Sequence, residues 1–284
     1  MFDRRAKNAM IFEDTEQMYQ TNETLKAAVE NSIMNQKLIL GDDVIEYKAV
    51  GGHDGKVVIS GKRTLEASES YAKQGKRVCV LNFASATNPG GGVVQGSSAQ
   101  EEAICRCSTL YPCLNTKDMW NGFYGPHRKA DNPLYYDDCI FTPDVKVFKS
   151  DINFPERLPE AEWWEVDVIT CAAPNLRSIP SNHMNPNAGS RKADITYEGL
   201  RALHTARIQR IFEVAMANGA EVLILGAFGC GAFCNPPELV AKVFAKFTEK
   251  YRDNFDVIEY AVFHTERETA NYKAFKDAMK NLER

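Results

Sequence analysis

Twice in this chain an apolar strand runs into a glycine-rich loop and out into an amphipathic helix, and this pattern constrains the fold most. The first copy places a strand at 77–81, glycines at 90–92, and a helix opening near Gln100. The second has an almost wholly apolar strand at 221–225, as burial on both faces requires, followed by a loop over 226–235. Its helix buries Leu239, Val240, Val243, Phe244 and Phe247, with Asn235 as cap and Pro236 at the first helical position. Strand, glycine loop and helix together form a site for anionic oxygens, bound by backbone N–H groups and the helix N-terminus. The same pattern also serves as a plain tight turn, and on its own it leaves both readings open.

The remaining elements follow from periodicity and turn residues. Strands are expected at 57–59, 139–148 (one strand or a hairpin pair), 165–173 and 257–263, and helices at 62–74, 194–218 and 267–282. Residues 1–50 read as helical and polar, with Thr21 or Asn22 as a cap and an apolar stripe of Leu25, Ala28, Val29 and Ile33. Residues 111–136 read as irregular and aromatic, and 174–191 as a long lid or binding loop. Strands alternating with helices over 77–284 predict an α/β/α sandwich with a parallel or mixed sheet. Residues 1–76 are then an accessory segment packed on that core. Ligands in such sheets lie beyond the carboxyl ends of the strands, where the two glycine loops can converge.

Charge and cysteine usage exclude several classes. A net charge of −4 over 284 residues argues against a surface that coats nucleic acid, so no direct DNA binding is expected. No apolar run reaches the roughly 20 residues of a membrane span, and the first residues lack the apolar core of a signal peptide. The eight cysteines contain no CxxC pair and the five histidines no HExxH. A reduced, cytoplasmic, monomeric protein without metal or cofactor is expected.

The chemistry concentrates at 82–102, Asn-Phe-Ala-Ser-Ala-Thr-Asn-Pro-Gly-Gly-Gly-Val-Val-Gln-Gly-Ser-Ser-Ala-Gln-Glu-Glu. Glycines 90–92 permit positive φ and close approach to a ligand. Glu101 and Glu102 supply an acid and a polar anchor for breaking a sugar acetal. Ser98 and Glu101 also fit a capping box opening a helix whose buried stripe is Ile104, Cys107 and Tyr111. Spacing alone does not decide between these readings. Trp120, Phe123, Tyr124, Tyr135 and Tyr136 could stack on a base, although such clusters more often only pack.

Three glycines, seven residues and then Gln100-Glu101-Glu102 resemble the signature of poly(ADP-ribose) glycohydrolases. The flanking residues 82–84 and 88–89 are similar to the bacterial branch of that family, as is the run Thr-Pro-Asp-Val-Lys-Val-Phe at 142–148. Residues 225–235, Leu-Gly-Ala-Phe-Gly-Cys-Gly-Ala-Phe-Cys-Asn, resemble the phosphate-binding loop of the family's macrodomain. The resemblance implies a macrodomain-like fold from about residue 77 onward. The implied activity is hydrolysis of the ribose–ribose O-glycosidic bond of poly(ADP-ribose), releasing ADP-ribose, mainly from chain ends. Glu102 matches the catalytic glutamate, which protonates the departing oxygen and then deprotonates water. Glu101 would hold ribose hydroxyls, and the closeness of the two carboxylates helps keep one protonated. Gly90, Gly91, Gly92 and Gln100 belong to the same motif, with Gly91 and Gly92 lining the scissile ribose. Asn88 would lie beside the terminal ribose. Gly229, Cys230, Gly231 and Ala232 would offer N–H groups to the diphosphate, and Phe233 would orient the terminal ribose. Three rivals stand beside this reading: a non-hydrolytic ADP-ribose-binding module, a hydrolase of mono-ADP-ribose, and an unrelated α/β enzyme.

Overall fold

The computed structural model describes residues 3–183 and 185–283. Helices α1 (Arg4–Thr21) and α2 (Glu23–Asn35) come first, followed by β1 (Lys37–Ile39), β2 (Lys56–Ser60), α3 (Thr64–Ala72) and β3 (Val78–Phe83). After the glycine loop come α4 (Gln100–Cys107), α5 (Leu110–Leu114), α6 (Lys117–Met119), a π-turn (Trp120–Tyr124) and α7 (Gly125–Ala130). The chain closes with β4 (Cys139–Val147), β5 (Trp164–Cys171), α8 (Tyr197–Ala217), β6 (Val222–Leu225), α9 (Pro237–Tyr251), β7 (Val257–Ala261) and α10 (Ala270–Met279).

Seven strands form one mixed sheet in the order β1-β4-β5-β3-β6-β7-β2. Strand β4 pairs antiparallel with both β1 and β5, and the five strands from β5 to β2 are parallel. Alternation along the central strands feeds two cores. Cys79, Leu81, Leu223 and Leu225 join Ile208, Phe212, Val240 and Phe244 of α8 and α9 on one face. Val78, Val80, Val222 and Ile224 join Phe12, Leu65 and Ile104 of α1, α3 and α4 on the other. The layered sandwich expected for the resemblance is therefore formed.

The first 76 residues are more than a layer laid on this core. They supply both edge strands and α3: β1 pairs with β4, and Lys56 of β2 pairs with Val257 of β7. The sheet thus crosses the boundary expected at 76/77, through pairings too distant in sequence for any local pattern to show. The three residues of β1, within a stretch expected to be helical, are too few to display a period. On α2, Asn22 is the cap, accepting the Leu25 N–H at 3.0 Å. Leu25 is buried and Ala28 and Val29 half-buried, but Ser32 takes the next inward position and Ile33 faces solvent.

Two further expectations change, and the choice left open at 139–148 resolves to one strand. Residues 111–136 are a series of one- and two-turn helices whose Phe123 and Tyr124 are buried in the core. Strand β4 is a single strand with a bulge between Thr142 and Val145, where Pro143 has no N–H to give and Asp144 sits at φ 55°. Helix α2 docks on that bulge, Ser32 Oγ donating to the Asp144 carbonyl at 3.2 Å. Helix α9 opens on Pro236 as N-cap with Pro237 following, so Asn235 does not cap it.

Helix α1 braces the catalytic side. Lys149 is buried, with Nζ 2.7 Å from Asp14, 2.8 Å from the Ile11 carbonyl and 2.7 Å from Thr15 Oγ1. The Thr15 hydroxyl lies 2.6 Å from the Arg106 carbonyl, tying α1 to α4. Arg157 completes the cluster, and with Lys149 it holds the Asp14 carboxyl down at about 2.

Candidate active site

The loop after β3 is folded by its glycines, each in a different way. Gly90 and Gly91 have φ of 64° and 59°, a region costly for residues with a Cβ. A Cβ on Gly90 would lie 2.7 Å from the Tyr111 ring, which packs edge-on to Phe12 of α1. A Cβ on Gly91 would lie 2.5 Å from Glu102 Oε1 and 3.1 Å from Glu101 Oε2. The Gly92 N–H donates to Glu102 Oε1 at 2.9 Å. Gly90 thus packs backward, Gly91 makes room for the carboxylates, and Gly92 orients one of them.

Asn88 spends one end of its amide inside this loop and the other on helix α7. Its Nδ2 donates to the Gly91 carbonyl at 2.6 Å, and its Oδ1 accepts from Arg128 Nη2 at 2.8 Å. Arg128 Nε also donates to the Thr87 carbonyl at 2.6 Å, with the guanidinium 4.5 Å from the Trp120 ring centroid. Asn88 and Gly90 do not line the cleft, whereas Gly91, Gly92, Gln100, Glu101 and Glu102 do.

Helix α4 has Ala99 as N-cap with no side-chain cap bond, so the Ser98–Glu101 capping box is not formed. Gln100 instead fastens the helix to the end of β3. Its Oε1 accepts the Phe83 N–H at 2.9 Å, and its Nε2 donates to the Leu81 carbonyl at 2.8 Å and Thr64 Oγ1 at 3.0 Å. Glu101 is buried, accepting from the Ser85 N–H at 2.8 Å and from Asn82 Nδ2 at 3.4 Å. Glu102 is also buried, and its Oε2 has no hydrogen-bond partner among the described residues. One oxygen of Glu102 is therefore fixed and the other is left without a partner among these residues.

Burial, and after it the neighbouring Glu102, pushes the Glu101 carboxyl well above the ordinary glutamate range, against the opposing Ser85 and Asn82 hydrogen bonds. Burial and the neighbouring carboxylate thus both favour the protonated form of Glu101. The same shift has a cost in stability. A carboxyl raised in the fold binds protons that the unfolded chain has released, so stability falls as pH rises above about 4.5. Glu101→Gln removes this penalty. The melting-temperature difference between E101Q and the parent should grow from pH 5 to pH 8, and an offset constant with pH would count against it.

The second loop begins after β6. A Cβ on Gly229 (φ 74°) would lie 2.4 Å from Ala173 Cβ and 2.6 Å from Asn235 Nδ2. Asn235 ties the loop from within: Nδ2 donates to the carbonyls of Pro174 at 2.8 Å and Gly229 at 3.0 Å. Its Oδ1 accepts from the His204 ring at 2.9 Å, whose pKa burial lowers to about 4. The N–H groups of Cys230, Cys234 and Asn235 are spent on the carbonyls of Ala227, Gly231 and Gly229. Those of Gly229, Gly231, Ala232 and Phe233 have no acceptor among the described residues. Cys230 therefore departs from its expected role: its N–H is used, and burial pushes its thiol up to about 12. Gly229, Gly231, Ala232 and Phe233 line the cleft, with Phe233 half-buried and its ring 6.1 Å from that of Tyr135.

The two loops thus face one cleft of about 390 Å³. Sequence reasoning missed part of its lining. Phe263, just beyond β7, is 50% exposed, with the Arg63 guanidinium 4.0 Å from its ring centroid. The segment after β5 lines the cleft with Arg177, Pro180, Asn182 and Asn185, and Asn185 Nδ2 donates to Ser85 Oγ at 3.1 Å. Single loop residues like these belong to no local motif. Such a cleft, with paired buried carboxylates at one end and open backbone N–H groups at the other, is built for a phosphorylated sugar.

That class narrows on comparison with known proteins. A family model described as microbial-type PARG, catalytic domain, matches residues 6–150. The chain belongs to this family. It is also similar to the crystal structure of poly(ADP-ribose) glycohydrolase from Thermomonospora curvata, at 28% identity and a TM-score of 0.82 over 96% of this chain and 100% of that one. The same enzyme bound to the inhibitor ADP-HPD matches at 27% identity and 0.78, over 96% and 99% of the two chains. The Deinococcus radiodurans enzyme in complex with ADP-ribose matches at 27% and 0.75, over 89% and 97%. None of the curated proteins compared matches the chain.

Proposed function

We propose that this protein hydrolyses the ribose–ribose O-glycosidic bond of poly(ADP-ribose) and releases ADP-ribose. The observation that carries the reading is Glu102 itself, with Oε1 held by the Gly92 N–H and the buried Oε2 unpartnered at the cleft. Protonated Glu102 gives its proton to the departing ribose oxygen as the bond to the anomeric carbon breaks. As carboxylate it then takes a proton from the water that adds to that carbon, and the acid is regenerated. Glu101 binds ribose hydroxyls, and the substrate's diphosphate stabilises the oxocarbenium-like centre. The open N–H groups of Gly229, Gly231, Ala232 and Phe233 suit that diphosphate. The exposed face of Phe263 suits the base. The free cysteines suit a reducing compartment, and we place the protein in the cytoplasm.

Attack on chain ends is supported by how the catalytic end is walled. The first two turns of α1 lie against the glycine loop: Asn8 Nδ2 donates to the Gly96 carbonyl at 3.1 Å, and a Cβ on Gly96 would lie 2.0 Å from the Arg5 carbonyl. Arg5 Nη1 also meets the His183 ring at 3.1 Å, joining α1 to the segment after β5. Middle segments of a polymer would clash with such a wall.

Labelled poly(ADP-ribose) and auto-mono-ADP-ribosylated protein, incubated in parallel and sampled early, test both statements. Free ADP-ribose from the polymer from the first time point, with few mid-length oligomers, is the expected result. Release from the mono-modified protein would shift the assignment to a mono-ADP-ribose hydrolase. Abundant oligomers before ADP-ribose would remove the walled-end account.

A further inference from the structure

Three carboxyl groups line the cleft, Glu101, Glu102 and Asp151, against two cations, Arg63 and Arg177. A diphosphate entering such a site gains little from the protein as a whole, whose net charge is −4. It needs a local counter-charge. Arg63 is already committed, with Nη2 donating to Asn153 Oδ1 at 2.7 Å and its guanidinium packed on Phe263. The guanidinium of Arg177 has no hydrogen bond or ion pair among the described residues, although the residue is half-buried in the cleft wall.

The backbone under Arg177 is pinned as firmly as its head is free. Its N–H donates to Asn175 Oδ1 at 3.2 Å, and the Asn175 N–H donates to the Pro133 carbonyl at 2.7 Å. The Leu176 N–H donates to the Phe233 carbonyl at 2.9 Å, and Asn235 Nδ2 joins the carbonyls of Pro174 and Gly229. Arg177 therefore stands one residue from a direct bond to the loop whose N–H groups are open, on a stalk that shares that loop's internal tie.

Resting on the reading of this cleft as an ADP-ribose site, we infer that Arg177 is a substrate-binding residue that clamps the diphosphate from the segment after β5. The guanidinium supplies the charge and a forked pair of donors, while the glycine loop supplies backbone donors. The diphosphate is held before and during bond cleavage, so the contact acts on binding and changes turnover little.

The test measures the dissociation constant for ADP-ribose by calorimetry, with KM and kcat on polymer, for the parent, R177Q and R177K. Arg177→Gln should weaken ADP-ribose about 10- to 100-fold, as loss of a charge-assisted pair does, and raise KM in parallel. Its kcat should stay within about threefold and its melting temperature should not move. Arg177→Lys should recover part of the affinity, and the salt dependence of binding should flatten in R177Q. An ADP-ribose affinity in R177Q within about twofold of the parent, or affinity, kcat and melting temperature all falling together, would overturn the clamp. A parent protein that does not bind ADP-ribose would overturn the site reading and the clamp with it.

Discussion

Glutamine at position 102 should lower turnover by at least ~10²-fold, the low end for loss of a general acid–base group, while ADP-ribose binds nearly as before. Glutamine keeps an oxygen for the Gly92 N–H, which now meets Glu102 Oε1 at 2.9 Å. Its amide nitrogen takes the place of Oε2, the buried atom left without a partner. Shape and hydrogen bonding at the cleft are thus retained. An amide has no proton to give a departing ribose oxygen, and it cannot take one from water. Single-turnover rates on polymer, beside calorimetry with ADP-ribose, separate the two effects. Turnover retained in E102Q would remove Glu102 from the mechanism.

Gly91→Ala should be nearly as damaging without touching either carboxylate in sequence. The new methyl group would lie 2.5 Å from Glu102 Oε1 and 3.1 Å from both Glu102 Cδ and Glu101 Oε2. Carboxylate ends are ordinarily soft neighbours, but these two are buried and held by the N–H groups of Gly92 and Ser85. Relief requires either the loop or the carboxylates to shift. A displacement of about 1 Å at reacting groups can cost ~10²-fold in rate, and that loss is expected here. The left-handed conformation at φ 59° adds about 1–2 kcal/mol of backbone strain, read as a melting point lower by several degrees. A variant with parental kcat would show that Gly91 does not fix the geometry of the pair.

The parts legible in sequence were those whose causes are local. Strand, three glycines and Gln-Glu-Glu follow one another directly in sequence, and the almost wholly apolar run at 221–225 reads as a strand buried on both faces, which the structure forms at 222–225. The layered fold followed from the alternation of such units. What failed depended on distant partners. Asn235 reads as a helix cap, yet Pro174 and His204 hold it under the second loop. Glu101 fits a capping box by spacing, yet the Ser85 N–H draws it into the cleft. Edge strand β2 needs β7, and Arg63 is brought against Phe263 only once those strands pair. Side chains that meet only through the folded sheet leave no trace in a local pattern.

Cleavage of the ribose–ribose bond by Glu102 without metal, on a substrate held between two glycine loops, is the chemistry proposed for this site. It is tested most directly by giving the parent protein labelled poly(ADP-ribose) in a strong chelator and resolving the products over time. Free ADP-ribose is expected at the rate seen without chelator. Loss of activity restored by a divalent cation, or polymer bound but left intact, would contradict it.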